Sequence, residues 1–417
     1  MMFCELSREE YAAFQQHYRY RNFLNSVESA TLEEMEGLSV FFVGSKEQGE
    51  VVAAAMLVKL PLMKKFHYLY APRGVLVDYH DVHRLREFSG QLKQYAKKQG
   101  AVYIVMDPYV LYKERDMDGN LLPDGFDHSD VVDNLLQCGF QHKGFSVGYG
   151  KNMQFVRWMY SMSLQGMDAN TIWKNLHQQT RWSINRTLKY QMQVKELSIE
   201  EMSLFDDIMK KTGERRHFAS RELSFYEHQC KAYGEHLKVL LAYVDVPLYK
   251  NSLLKELQQE EMNAANATKE LAEHASKKFA KKLKVAKEAI ALLNKKIQEA
   301  EQLEVEHGSI IPMAASMFML YGDEVTYLTS GAYEQFRSFY ASYAIQWHMI
   351  QEALKLGYKK YNFYGISGEF DEENENYGVY KFKRGFPGQV EELIGDFVLP
   401  TRKIWYQIYR ILREKNN

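Results

Sequence analysis

The chain has 417 residues, 46% of them hydrophobic and 14% aromatic, with a formal net charge of -1. That length sets a prior of about two to three domains with sizeable cores, and the balanced charge excludes a global field that gathers nucleic acid, so any anion site must be local. Cys4, Cys138 and Cys230 are far apart and odd in number, which argues against disulfides or a zinc site and fits a reducing cytosol.

In chain order, Glu5, Arg8, Glu9 and Glu10 stand where an export signal needs an apolar core, so none is expected. Strands are predicted over 40–44 and 51–60, with a polar turn between them, and a third over 66–77, interrupted at Pro72 and Gly74. A helix follows with Leu85, Phe88, Leu92 and Tyr95 on one face and Gly100 as its stop, then a strand over 101–107. The order returns later: strands over 313–320 and 325–330, a helix with Phe336, Phe339, Tyr343, Trp347, Ile350 and Leu354 on one face, Gly357 as stop, and a strand over 361–364. Two copies of strand, strand, helix, strand imply two similar α/β subdomains side by side, with a ligand groove expected where strands end and the copies meet. The longest apolar run, 310–321, is too short to span a bilayer as a helix.

Between the copies, 153–164 reads as a strand, and Asp168 is placed to cap a helix carrying Ile172 and Leu176. The stretch 174–195 is basic, with Lys174, Arg181, Arg186, Lys189 and Lys195 around Trp173 and Trp182, a pattern shared by phosphate sites and solvated helix faces. Ser198-Ile199-Glu200-Glu201 is a capping box, followed by Met202, Phe205 and Met209 on one face. His217 has no nucleophile-and-carboxylate pattern near it, so a catalytic triad is not supported.

Between Pro247 and Gly308 neither Pro nor Gly interrupts a Lys- and Glu-rich stretch. Phe279, Leu283, Ala286, Ile290, Leu293, Ile297 and Ala300 form a heptad; Leu254, Leu257, Ala264, Leu271 and Ala275 continue it, with Glu261 and Thr268 as interruptions. Because both ends rejoin the globular fold, the expected form is an antiparallel hairpin with its tip at 274–278 and helices of about 25 residues, roughly 37 Å each. The faces near the tip are rich in lysine, with Lys277, Lys278, Lys281, Lys282 and Lys284, and suit phosphates or a partner protein.

The most informative stretch is 361–386. Tyr361-Asn362-Phe363-Tyr364 reads as a strand, broken at Gly365 and Gly368, and the acidic run 371–375 should lie in solvent. Then come Lys381, Lys383 and Arg384 among aromatic rings, which suits a phosphate or a developing oxyanion as well as the exposed basic face of an edge strand. In the tail, Ile404, Trp405, Ile408, Ile411 and Leu412 share a helical face with basic residues interspersed, the pattern of a capping helix or of one that rests on an anionic membrane.

Several pieces resemble the Fem family, non-ribosomal aminoacyltransferases that build peptidoglycan interpeptide bridges. They are Pro61-Leu62-Met63-Lys64-Lys65-Phe66 with Arg73-Gly74, Met106-Asp107-Pro108-Tyr109, Leu136-Gln137-Cys138-Gly139-Phe140, Ser342-Tyr343-Ala344-Ile345-Gln346-Trp347, and 361–368 and 378–385. The likeness runs nearly end to end. It implies an α/β (α+β) fold of two acyl-CoA-N-acyltransferase-like subdomains, 1–150 and 151–245 with 309–417, plus an inserted coiled-coil helical arm, 246–308.

The resemblance also implies chemistry. An aminoacyl-tRNA would donate Gly, Ala or Ser to an amine of the stem peptide of lipid II or a related muropeptide, with no cofactor and no metal. It places acyl-transfer roles on Phe382 and Lys383, muropeptide binding on Arg221 with Tyr226, and substrate binding also on Tyr364, Arg384, Arg181 and Arg186, the last two matching the family's basic stretch. Many members carry a Trp and a Lys early in the first subdomain; here Ala30-Thr31-Leu32-Glu33-Glu34 has no Lys, which implies a different phosphate site. Other Fem-type transferases or a second copy are further partners the family suggests, in a cytoplasmic protein that meets the inner membrane leaflet. An acetyl-CoA-type N-acyltransferase and a non-catalytic tRNA- or partner-binding protein are the alternatives; the first lacks its pyrophosphate loop here.

Overall fold

The computed structural model describes residues 1–63, 65–149, 154–274 and 276–414. Its core is carried by two mixed sheets. The first runs, in spatial order, Met2–Glu5, Ser39–Glu47, Glu50–Leu62, Phe66–Ala71, Tyr103–Met106, Phe397–Pro400 and Gln141–His142. The second runs Leu111–Glu114, Gln389–Leu393, Trp158–Ser163, Lys360–Ile366, Glu324–Ala332, Ile310–Tyr321, Leu237–Asp245 and Met192–Glu196. Each repeats one plan, in which antiparallel strands lead to a single short parallel pair: 69–71 beside 104–106, and 324–326 beside 360–362.

The strands at the centre are buried on both faces, so they read as continuous apolar runs. Ala53 to Val58 are all at most 1% exposed, as are Met313 to Met319. The helix Val82–Lys98 covers the first sheet with Leu85, Phe88, Leu92 and Ala96; Asp81 caps it by accepting from the Arg84 amide at 2.9 Å. Ala341–Leu356 covers the second with Ile345, Met349, Ile350 and Ala353. Asp168 caps Ala169–Asn175 as expected, and the box at Ser198 and Glu201 opens the helix Met202–Arg216.

The two sheets exchange strands. Leu111–Glu114 leaves the first half of the chain to pair with Gln389–Leu393 in the second sheet, and Phe397–Pro400 returns to pair with Tyr103–Met106 in the first.

Three predicted elements end elsewhere. The third strand stops at Ala71, because Arg73 (φ 55°) and Gly74 (φ 92°) turn the chain out of the ladder. The predicted helix holding Phe336 and Phe339 is split. Those rings sit in the tight turn Glu334–Phe339, and left-handed Tyr340 (φ 61°) separates it from Ala341–Leu356. The strand expected from 153 begins at Trp158, and residue 153 lies outside the described residues.

The inserted arm is an antiparallel pair, Val246–Glu273 and Lys277–His307. Its 28 and 31 residues make helices about 42 and 46 Å long at 1.5 Å per residue. In the second helix, Ala286, Leu293 and Ala300 are buried at seven-residue spacing, as the heptad predicts. In the first helix the seam passes through Leu253 and Ala267, both 3% exposed, with Leu257 and Ala264 partly covered. Leu254, predicted at the seam, is 47% exposed, and Glu261 and Thr268 are solvated rather than interrupting the contact. The register is one residue off at every second seam position, because adjacent Leu253 and Leu254 fit the apolar pattern equally well.

Candidate active site

Beyond residues 324–326 the parallel partners of the second sheet part company, and the gap becomes a groove of about 1260 Å³. Both strands are irregular there. Leu328 is an extra residue against the neighbouring strand, since Tyr327 pairs with Phe318 and Thr329 with Met317. Across the gap, Tyr364 adopts a left-handed φ of 63°, held by its amide donating to the Asn362 side chain at 2.7 Å. A tyrosine in that region is strained, and such strain marks sites where the backbone is re-aimed. Here the ladder to Trp158–Ser163 shifts between Asn362 and Gly365, and the Gly365 carbonyl accepts from Lys383 Nζ at 2.6 Å.

Lys383 stands on the helix Tyr377–Arg384, which corrects the edge-strand alternative for this motif. Tyr377, Tyr380 and Arg384 recur at helical spacing on one face; the Tyr380 hydroxyl donates to the Met117 carbonyl at 2.8 Å, and Arg384 pairs with Asp118. The loop around Asp118 thus clasps the helix from the first half of the chain. Phe382 packs between Tyr343 and Phe386, at ring separations of 4.9 and 6.0 Å. Lys383 is only 6% exposed, and burial alone pulls its amine down from the ordinary lysine range to about 7. Lys383, read from the sequence as a group suited to a phosphate or a developing oxyanion, can therefore hold or release a proton near neutrality.

The rest of the groove is electropositive. Arg215, Arg216 and Arg337 line one part and Lys381 and Arg384 another, against the carboxylates of Glu334 and Glu372. Glu334 pairs with Arg215 and lies 3.5 Å from Arg337. Among the described residues no cluster of His, Cys, Asp or Glu could hold a metal ion.

Of the residues singled out from the sequence, the structure brings Lys383, Phe382, Arg384 and Tyr364 together around this groove. The Tyr364 hydroxyl accepts from Arg73 at 3.3 Å. The others lie apart from the groove lining. Arg181 Nη1 donates to the carbonyls of Lys174 and Leu176, both at 2.7 Å, closing the end of Ala169–Asn175. Arg186 donates to the Tyr190 hydroxyl at 2.8 Å and covers the Trp182 ring. Tyr226 is 3% exposed and packs on Phe205, whereas Arg221 is exposed over Phe225, 4.8 Å from its centroid. Arg221 also faces Glu33: burial raises the Glu33 carboxyl, and Arg221 opposes the shift. A carboxylate thus stands in the stretch where the resemblance led one to expect a lysine.

Arg215, Arg216 and Arg337 were not predicted as site residues. The first two lie in Glu214-Arg215-Arg216-His217, a few residues before Arg221, and the third follows an aromatic in a segment read as helix. Only the folding of 334–340 into a separate turn brings them to one groove.

The FemAB family profile matches residues 6–414. Aminoacyltransferase FemA of Staphylococcus epidermidis is 34% identical over 416 residues, 99% of each chain. The protein of the same name from Staphylococcus aureus MRSA252 is 33% identical over 416 residues, again 99% of each. The crystal structure of FemX superposes with a TM-score of 0.81 at 24% identity, over 98% of this chain and 99% of that one.

Proposed function

Because this chain belongs to the FemAB family and is an aminoacyltransferase of peptidoglycan bridge synthesis, we propose that the groove joins the aminoacyl group of a charged tRNA to an amine on the stem peptide of lipid II or a related muropeptide. The observation that carries the reading is Lys383, a buried amine poised near neutrality at the head of an open, electropositive notch.

An aminoacyl ester is already activated, so neither ATP nor a covalent enzyme intermediate is required. The acceptor nitrogen attacks the ester carbon and the C–N bond forms. The tetrahedral oxyanion collapses, the ester C–O bond breaks, and the terminal ribose oxygen leaves with a proton. In this reading Lys383 takes the proton lost by the attacking amine. As an ammonium it then stabilises the oxyanion or protonates the leaving oxygen. Phe382 holds the helix against Tyr343 and Phe386 so that the amine stays in place. Arg215, Arg216, Arg337 and Arg384 suit the phosphates of the tRNA end. Arg221, exposed between the two halves, is the candidate contact for the acceptor's phosphates, and Arg181 and Arg186 are further substrate-binding candidates that lie apart from the groove lining. The lysine-rich arm tip is a second candidate contact for tRNA or for another Fem-type chain. A lipid-linked acceptor places the reaction in the cytoplasm, at the inner face of the plasma membrane.

The test is transfer of labelled Gly, Ala or Ser from each charged tRNA to lipid II and to its UDP-linked precursor, read by mass. The reading requires an amide-linked residue on at least one acceptor. Transfer of acetyl from an acyl thioester, with none from any charged tRNA, would overturn it.

A further inference from the structure

The tail helix Lys403–Glu414 docks by a face that its amphipathic pattern did not single out. Tyr406 is buried and Tyr409 stacks on Tyr103, with ring separations to Tyr103 of 5.4 and 5.6 Å. The aliphatic side chains point away: Ile404 is 77% exposed, Ile411 53%, Leu412 47%, Trp405 42% and Ile408 38%. At 100° per residue these five span roughly 120° of the helix, a contiguous apolar stripe. The stripe is extended by the turn between Glu50–Leu62 and Phe66–Ala71. The Phe66 ring lies 4.6 Å from Trp405, and Met63 beside it is 38% exposed.

The rim of this patch is cationic. Among the described residues, segments 59–67 and 402–412 hold five Lys and Arg residues and no Asp or Glu. Lys59, Lys65 and Lys403 are exposed, and so are Lys97 and Lys98 at the end of Val82–Lys98. Gly100, just after that end, lies against the Arg402 side chain and His67. His67 reports the local field: its imidazole is held below the ordinary range by burial, then by Lys59, with Arg402 adding to the effect. An apolar stripe ringed by lysine and arginine does not complement a protein core, and it would repel a second copy of itself. It complements the headgroup region of an anionic bilayer, where aliphatic side chains enter the acyl boundary and each cation near the surface adds attraction. No helix among the described residues is long and apolar enough to cross a membrane, so this contact would be peripheral.

We propose that the stripe of Lys403–Glu414, together with the turn at 61–66, is the face by which this protein rests on an anionic lipid surface. The purpose of such a contact rests on the lipid-linked acceptor read above; its geometry does not. In co-sedimentation the protein pellets with phosphatidylglycerol vesicles at low salt and is released at high salt. It stays in solution with phosphatidylcholine vesicles. A variant with Ile404→Ser, Ile408→Ser and Ile411→Ser, and separately one with Lys59→Gln, Lys65→Gln and Lys403→Gln, each lower vesicle binding more than tenfold. Both variants keep the wild-type melting curve and wild-type transfer to the soluble UDP-linked acceptor, and lose transfer only when lipid II is embedded in vesicles. Wild-type protein left in the supernatant with phosphatidylglycerol at low salt overturns the proposal, and so does equal, salt-insensitive binding to both lipids. A concentration-dependent dimer that the serine variant abolishes, without vesicle binding, assigns the face to a second copy instead. Any of these results with normal transfer to a soluble acceptor removes the membrane face and leaves the aminoacyltransferase reading standing.

Discussion

The two sheets share a plan, yet only one of them opens. In the first, the ends of the parallel strands are stitched across. The Arg73 amide and the Tyr70 hydroxyl both donate to Asp107, at 3.0 and 2.8 Å, the Tyr109 amide donates back to the Arg73 carbonyl at 3.1 Å, and the Arg73 guanidinium lies 3.2 Å from Asp107. Gly74 comes so close to Tyr79 and Pro108 that a Cβ there would lie 2.4 Å from the Tyr79 hydroxyl. In the second sheet the equivalent gap is lined by Leu328, Thr329 and Ser330 on one side and by Tyr364 and Gly365 on the other. Among the described residues no ion pair like that of Arg73 and Asp107 crosses it, and a buried amine, Lys383, donates to the Gly365 carbonyl instead. The two sheets share a scaffold, and a few residues at the strand ends decide which of them is closed and which holds a groove.

The comparison breaks most visibly at Asp107. In Asp107→Asn the Arg73 guanidinium stays buried without its carboxylate, so unfolding free energy should fall by about 3–5 kcal/mol. Denaturant titration measures it, and kcat of the folded enzyme should stay within about tenfold. A mutant as stable as the parent would mean that the first notch is not held by this pair.

At the open notch the signs reverse. Lys383→Met should lower kcat by about 10²-fold or more, as loss of a group acting on the transition state does. It should also raise stability. The amine titrates near 7 folded and near 10.5 unfolded, so the unfolded chain holds the proton more tightly. The penalty is full below about pH 7, shrinks as pH rises, and is gone above the unfolded value; near neutrality it is on the order of 4 kcal/mol. A mutant that is both inactive and less stable would remove Lys383 from this account.

The pH profile is a gentler probe. If neutral Lys383 takes the acceptor proton, kcat/KM should rise about tenfold per pH unit on the acid side and level off above about 7, as the amine loses its proton. The limb should vanish in Lys383→Met. A profile that falls through 7 would assign the protonated form as the working one. The smallest expected effect is at the contact between the notches, where Tyr364→Phe removes the hydroxyl that accepts from Arg73. A loss of about 1 kcal/mol in unfolding, with kcat nearly unchanged, is the outcome expected for a single hydrogen bond.

Much of the fold was legible because its signals are local. The two strand–strand–helix–strand runs, the capping residues Asp168 and Ser198, and the heptad through Ala286 and Leu293 each follow from spacing within a few residues. The site was legible in part. Lys383 and Phe382 drew attention by their company of aromatics, but burial of a lysine has no signature in sequence, so its lowered proton affinity was not legible there. Arg181 reads from the sequence as a phosphate candidate, and its Nη1 in the fold donates to the Trp173, Lys174 and Leu176 carbonyls, a role the sequence does not show because a basic residue just past a helix end reads the same whichever it faces. Stitching at Arg73 and Asp107, and clasping of Arg384 by Asp118 across 266 residues, depend on long-range pairing that no window of the chain contains.

The crossing of Leu111–Glu114 and Phe397–Pro400 between the sheets has a mechanical consequence. Two lobes joined by a linker can swing apart and close on a substrate like a jaw. Lobes sewn together by backbone ladders running in both directions cannot rotate without breaking those ladders. Entry to the groove must then come from side chains and loops at its mouth. Selection between acceptors becomes a matter of fit to a preset opening, and cutting the chain between His142 and Trp158 should yield two fragments that each lack a strand and regain shape only when mixed.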